Sequence, residues 1–330
     1  MRNTVLVKAL VALVLAIIVL TGCTVERDGQ ENVDRTGRTF VLNRPINRIV
    51  STAPSNTELI VDLGMAHKLI AIDRHSENIV GVPDGLPLVD FFFPDVEALI
   101  NLHPDVIIAS GINTTGSGED PFQMLREMGI AVVYISMSDS IEEIYNDIYF
   151  LAGLLGVPEN GQELIRTTRA HIDEIRRIAA GIENKLTVYF EIGALPNMVT
   201  FGRDSFLNDM ITTIGAINIF ANDNWVLSPS AEVIISRNPD VILTNVPYLE
   251  DPVAEIKQRP GFNHINAVIN NRVYRIDTNS SSRSNARIVY ALRQMVEAVY
   301  PEVNLDMVSY RTNDSQLDLS GQVPGYHVQQ

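Results

Sequence analysis

Two stretches of this chain carry nearly the same pattern. Pro94-Asp95-Val96-Glu97 runs on to Pro104-Asp105-Val106-Ile107-Ile108, and Pro229-Ser230-Ala231-Glu232 runs on to Pro239-Asp240-Val241-Ile242-Leu243. The glutamate and the second proline fall at the same offsets in both copies. Each copy reads as a helix beginning at proline, where the missing N–H is harmless, followed by a Pro-Asp turn into a buried strand. Two units cannot make a solenoid, so the echo implies pseudosymmetry between two similar lobes.

The chain around each copy supports this. Arg48 to Ser51, Leu69 to Asp73, Asp105 to Ser110 and Ala131 to Ser136 are short β-branched runs separated by helix-length segments. That alternation is the signature of a parallel α/β sheet. It resumes with Leu186 to Glu191, Val241 to Thr244 and Arg272 to Asp277. Ser55-Asn56-Thr57-Glu58 and Ser140-Ile141-Glu142-Glu143 both have capping-box spacing after a strand. Between the copies, Ile165, Thr168, Ile172, Ile175, Ala179 and Ile182 form one apolar stripe on a long helix. We read residues 39–157 as an N-terminal lobe, 158–184 as a connecting helix and 185–310 as a C-terminal lobe. The fold class is α/β: two Rossmann-like lobes with parallel sheets, joined by a single long α-helix, with a ligand cleft between them.

Arg2 and Lys8 precede an apolar stretch from Ala9 to Leu20 and then Leu20-Thr21-Gly22-Cys23. This is the layout of a signal peptide over residues 1–22, with an apolar core shorter than the roughly 20 residues that span a bilayer. The cysteine after Thr-Gly resembles a bacterial lipobox, so Cys23 is the expected lipidation site and the mature protein is expected outside the cytoplasm, held to the cell membrane by lipid. It is the sole cysteine of the chain, which excludes an internal disulfide or a thiolate metal cluster. Residues 23–38 lack an apolar period and are expected to be a flexible tether, and residues 311–330 a disordered tail. The formal net charge is −15, which argues against nucleic acid and anionic lipid surfaces as partners.

From about Phe40 to Pro301, the block from Arg48 to Leu59, the two echoed blocks and Arg283-Ser284-Asn285-Ala286-Arg287 resemble the periplasmic-binding proteins for ferric siderophores, cobalamin and heme. The resemblance implies a monomeric, non-enzymatic receptor of an ABC importer with no resident cofactor, which delivers an iron chelate to permease subunits. A cobalamin or heme receptor is the alternative within the family. By the same resemblance Glu97 and Glu232, one per lobe, correspond to glutamates that pair with permease arginines. A carboxylate in the first turn of a helix also interacts favourably with the helix dipole.

In an open α/β sheet the cleft lies beyond the carboxyl ends of the strands. Arg74, His75, Phe91, Phe92, Phe93, Asn113, Trp225, Tyr248 and Arg283 are therefore the candidate ligand contacts. The aromatics would stack on a flat or macrocyclic ligand, and the arginines would suit an anionic one. Tyr248, His75 and Met137 are alternative axial ligands under a heme reading. No converging cluster of histidines and carboxylates suggests a free-metal site: His67, His103 and His171 fall away from the predicted cleft, His264 near a surface turn and His327 in the tail. A cell-surface α/β hydrolase or a sensor component is the alternative from another class. A hydrolase should carry a Gly-x-Ser-x-Gly elbow, and Gly116-Ser117-Gly118 is the nearest approach.

Overall fold

The computed structural model describes residues 31–42, 44–114 and 120–303. The signal sequence, Cys23, the first part of the expected tether, Gly116-Ser117-Gly118 and the expected tail lie outside the described residues. The strands are β1 Glu31–Val33, β2 Thr39–Val41, β3 Ile49–Ser51, β4 Leu69–Asp73, β5 Leu88–Val89, β6 Val106–Ser110 and β7 Val132–Ile135, then β8 Thr187–Glu191, β9 Thr200–Phe201, β10 Ile217–Asn218, β11 Val226–Leu227, β12 Val241–Thr244 and β13 Val273–Arg275. The α-helices are α1 Pro54–Asp62, α2 Val96–Asn101, α3 Gln123–Glu127, α4 Ile141–Leu155, α5 Pro158–Ala179 and α6 Phe206–Thr213, then α7 Ala231–Arg237, α8 Pro252–Gln258, α9 Asn266–Ile269, α10 Thr278–Ser282 and α11 Ile288–Val299.

One parallel sheet has the order β5-β4-β3-β6-β7 and the other β10-β8-β12-β13. With β5 set aside, both read second-first-third-fourth in chain order, so the pseudosymmetry of the sequence is a pseudosymmetry of topology. The echoed residues occupy matching places. Glu97 and Glu232 are each the second residue of their helix, and His103 and Asn238, each just before the second proline, are both left-handed at φ 47° and 45°. Asp105 accepts the backbone N–H of Asn47 and Arg48 at 2.7 and 2.8 Å, and Asp240 accepts that of Thr187 at 2.9 Å. Each Pro-Asp turn thus ties the third strand of its sheet to the start of the first.

The structure corrects three details of the sequence reading. Pro94 and Pro229 stand one residue before the N-cap instead of opening the helix, because Asp95 and Ser230 are the caps. The box beginning at Ser55 is not formed: α1 opens at Pro54 after Ala53, and Glu58 turns inward. Of the box at Ser140 one arm is formed, the hydroxyl accepting the Glu143 N–H, while the Glu143 carboxylate turns to Arg35 and Asn146. Finally, the described part of the expected tether is folded onto the N-terminal lobe. β1 pairs with β2, Asp34 accepts the Tyr134 N–H at 3.0 Å, Arg35 pairs with Glu143 and Asp147, and Arg38 pairs with Asp120 at 2.7 Å. A polar run without period is anchored here by charge pairing, which leaves no mark on hydropathy.

The strands alternate between two cores. In the N-terminal sheet Val50, Ile107, Ala109, Val132 and Tyr134 face a local cluster under α2 and α3. Ile49, Val106, Ile108 and Val133 face a second cluster that also contains Val188, Phe190, Val241 and Leu243 of the other sheet. Leu164, Ile172 and Ile175 of α5, together with residues of α4, α6 and α11, complete that shared core. The connecting helix therefore does more than span about 33 Å at 1.5 Å per residue; its buried stripe is part of one apolar body common to both lobes. Close packing is needed at Gly161, where an added Cβ would stand 2.4 Å from Ala152 Cβ. Lobes that share an interior move less freely than lobes joined by a linker.

Candidate functional site

In each sheet the direction of chain progression reverses between its first and third strands, between β3 and β6 and between β8 and β12. Loops leaving such a point diverge and open a crevice. A cavity of about 240 Å³ lies between the lobes. The N-terminal lobe supplies Ala53 to Asn56 after β3, Ser110 and Ile112 after β6, and Ser136 to Asp139 after β7. The C-terminal lobe supplies Phe201, Ser205, Phe206, Trp225 and Ser282 to Ser284. Among the described residues that line it, Arg283 is the sole cation and Asp139 the sole carboxylate. Small hydroxyls and aromatic faces make up much of the remaining wall, a mixture suited to a ligand with both flat apolar surface and polar edges.

Of the candidate contacts, Phe91, Trp225 and Arg283 line the cavity, as does Met137. Trp225 is held at φ 34°. Among the described residues the other positive-φ positions that are not glycine are His, Asp or Asn, types that tolerate this conformation, whereas a bulky aromatic there is strained. What imposes it is the β9/β11 ribbon: Gly202 donates to the Trp225 carbonyl at 2.6 Å, and Trp225 donates to the Arg203 carbonyl at 3.0 Å. Gly202 cannot be replaced cheaply, since a Cβ there would meet the Asp223 carbonyl oxygen at 2.2 Å. The ribbon presents the indole, 49% exposed, toward the opposite lobe's loops.

Arg74, His75, Phe92, Phe93, Asn113 and Tyr248 stand outside the cavity wall. Several of them organise it. Asp90 accepts the N–H groups of Phe92 and Phe93 at 2.9 Å each and pairs with Arg74 at 2.9 Å; these two N–H bonds, with the arginine, hold its carboxyl below the usual range. Asn113 donates to the Phe91 carbonyl at 3.0 Å. Phe91 meets Phe92 edge-on at 4.6 Å, and Phe92 and Phe93 are exposed on the same loop. Tyr248 is spent on the backbone of its own lobe, its hydroxyl accepting the Ala194 N–H at 2.7 Å. Glu191, at the end of β8 and near the expected cleft, is instead fully buried in a bidentate pair with Arg259.

Sequence reasoning missed a group beneath the cavity. Glu58 of α1, 4% exposed, pairs with Arg283, accepts a hydrogen bond from Asn285 and lies 3.8 Å from Arg287. Arg287 in turn binds Asp62 at 2.8 and 3.2 Å. Burial pushes the Glu58 carboxyl above its ordinary range, and the guanidinium groups of Arg283 and Arg287 pull it part of the way back. Every one of these contacts crosses from one lobe to the other. Phe201, Ser205 and Phe206 were missed too: Phe201 ends a strand of two residues, which carries no period, and Ser205 and Phe206 open the short helix that follows it.

Glu97 and Glu232 are both exposed. Hydrogen bonds from Ser230 and from its own backbone N–H hold the Glu232 carboxyl below its ordinary range.

Comparison with known proteins follows the same geometry. The family model described as "Periplasmic binding protein" matches residues 49–279. The chain is 27% identical over 311 residues to an uncharacterized ABC transporter substrate-binding lipoprotein, YvrC, of Bacillus subtilis, covering 88% of this chain and 96% of that protein. It is 25% identical over 256 residues to the vitamin B12-binding protein of Vibrio campbellii, covering 77% and 90%. Among solved structures, a possible iron-binding (periplasmic solute-binding) protein from Staphylococcus epidermidis superposes with a TM-score of 0.70 at 30% identity, covering 78% of this chain and all of that one. No helix among the described residues is long and apolar enough to cross a membrane.

Proposed function

Because this chain belongs to the periplasmic binding protein family, as a substrate-binding protein of an ABC transporter, we propose that it captures a ferric siderophore or similar iron chelate outside the cytoplasm and delivers it to permease subunits. The observation that carries the choice of ligand is the cavity between the lobes, where Phe91 and Trp225 stand on opposite walls and Arg283 is the sole cation among the described lining residues. Aromatic faces hold a flat ligand by dispersion, and a guanidinium supplies directional donors to anionic oxygen. A metal chelate ringed by carboxylate or catecholate oxygens meets both. The iron-binding description of the Staphylococcus epidermidis neighbour supports the same class.

A corrinoid or heme is the second reading, and it is favoured by the similarity to the vitamin B12-binding protein. Phe92 and Phe93, exposed beside the cavity, would extend the aromatic wall for a larger macrocycle. Titrating the protein with ferric siderophores, hemin and cyanocobalamin, followed through Trp225 fluorescence and visible absorbance, separates the readings. A response to a ferric siderophore alone supports the first, and no response to any of them removes the chelate reading.

Delivery needs a docking surface, for which Glu97 and Glu232 are our candidates. One exposed carboxylate at the same helical position of each lobe would report both the orientation and the spacing of the lobes to a basic partner. Lipid on Cys23 would raise the receptor's effective concentration at the membrane. Replacing both glutamates with alanine should abolish uptake while ligand affinity in solution stays unchanged; normal uptake by that variant removes the docking assignment.

A further inference from the structure

Arg283 belongs to two structures at once. Its side chain lines the cavity, and the same guanidinium is the C-terminal lobe's contact to Glu58 of the N-terminal lobe. One Nη donates to Glu58, the other approaches the His75 carbonyl at 3.4 Å, and the Nε–H has no acceptor among the described residues. Glu58 is itself fixed from the far side. Its second oxygen accepts from the fully buried Asn285, and Asn285 accepts the Arg287 N–H at 2.8 Å. Arg287 is braced by Asp62, whose side chain is 1% exposed. The arginine at the cavity is therefore the outer end of a buried chain of charges that registers one lobe against the other.

An arginine on a free surface pays side-chain entropy to hold an anion, whereas one already braced keeps its fork aimed before the ligand arrives. We propose that Glu58 and Asn285 are positioning residues that hold Arg283 aimed into the cavity, and that the ligand presents an anionic oxygen, carboxylate or catecholate in kind, to that guanidinium. The same contact joins ligand occupancy to lobe register, because the anion and Glu58 share one cation and the shared cation bridges the lobes. This inference rests on the receptor reading above and narrows its ligand class.

The test uses the mature lipoprotein in detergent, with hemin and a ferric tris-catecholate as anionic probes. Hemin dimethyl ester, which keeps the ring and masks the carboxylates, and cyanocobalamin serve as probes lacking carboxylates. Arg283→Gln should weaken the anionic probes by about tenfold or more and leave the masked ones within about twofold. Arg283→Lys keeps the charge without the planar fork and should fall between. Glu58→Gln keeps the volume but loses the brace, so it should lower affinity for the anionic probes selectively, and amide exchange should quicken in both 54–62 and 282–287 without ligand. Equal losses for masked and unmasked probes in Arg283→Gln, or an unchanged anionic affinity in Glu58→Gln, overturn the assignment. If Glu58→Gln does not fold, the Arg283→Lys comparison decides alone. Wild-type binding of cyanocobalamin only overturns the carboxylate or catecholate ligand and leaves the receptor standing. Binding of none of the four removes the chelate reading on which this inference rests.

Discussion

Two of the buried ionic clusters among the described residues are built for different purposes. In the C-terminal lobe Arg259, 2% exposed, meets Glu191 with two bonds of 2.6 and 2.9 Å, turns its Nε to Glu255 at 2.9 Å, and lies 5.3 Å from the Phe262 ring centre. Glu191 also accepts the Tyr189 hydroxyl at 3.3 Å, beside Arg259. All of its nitrogens are engaged within one lobe, and neither it nor Glu191 lines the cavity. The Glu58 cluster has similar chemistry but spans two lobes, and its last arginine is 15% exposed at the cavity. A closed cluster can only hold the fold. One left open at a cavity can also register what enters.

The difference should appear first in stability. Arg259→Ala leaves Glu191 buried without a cation, a situation that costs about 3–5 kcal/mol. Urea denaturation of the ligand-free protein measures it, and a loss under about 1 kcal/mol would mean that water reaches a site that the geometry closes. Glu58→Ala should cost less, about 2–3 kcal/mol, because Arg287 keeps Asp62 and Arg283 can turn to solvent through the cavity. Equal losses would erase the contrast between a closed and an open cluster.

How far this arrangement was legible in the sequence depends on the range of the interaction. The two-lobe plan was readable because parallel strands buried on both faces leave continuous apolar runs, and because Pro104-Asp105 and Pro239-Asp240 mark the same turn twice. The order of strands within each sheet left no local trace. Trp225, Phe91 and Arg283 could be placed at the cleft from their positions after strands or before helices. Tyr248 and Arg74 shared that position and were taken up by a backbone amide and by Asp90. Glu58 could be read only as a helix-start residue, since its partners Arg283 and Asn285 lie 225 and 227 residues away. Charge pairing at that distance has no periodicity to detect, and the same blindness turned Asp34 and Arg35 into an expected tether.

The strain at Trp225 sharpens the comparison on the cavity side. A left-handed conformation costs an ordinary L-residue roughly 1–2 kcal/mol, which glycine avoids. Trp225→Gly should therefore recover up to about 1 kcal/mol of stability, less whatever partial burial the indole provides, while ligand affinity falls. A stability gain accompanied by a binding loss is what strain maintained for a site predicts. If the variant is less stable and binds normally, the indole is packing for the ribbon and not part of the cavity's function.

The smallest effect is a slope against pH, and it isolates the open cluster from the closed one. Burial raises the Glu58 carboxyl above 4.5 despite Arg283 and Arg287, and burial raises Glu191 in the same direction despite Arg259. A carboxyl with a raised value in the folded state binds a proton that the unfolded chain has already released. Between the ordinary and the raised value, stability therefore falls as pH rises and recovers on acidification. Carboxylates held low, such as Asp240, whose bonds from Thr187 outweigh its burial, act below their ordinary value and with the opposite sign. The window just above pH 4.5 thus reports the raised groups. Glu58→Gln should flatten the dependence of the urea midpoint on pH there without removing it, because Glu191 and the aspartates also raised by burial, Asp62, Asp73 and Asp147, still titrate. A wholly flat profile would assign the effect to Glu58 alone, and an unchanged one would mean that the interlobe cluster is solvated enough to titrate as a surface carboxylate does.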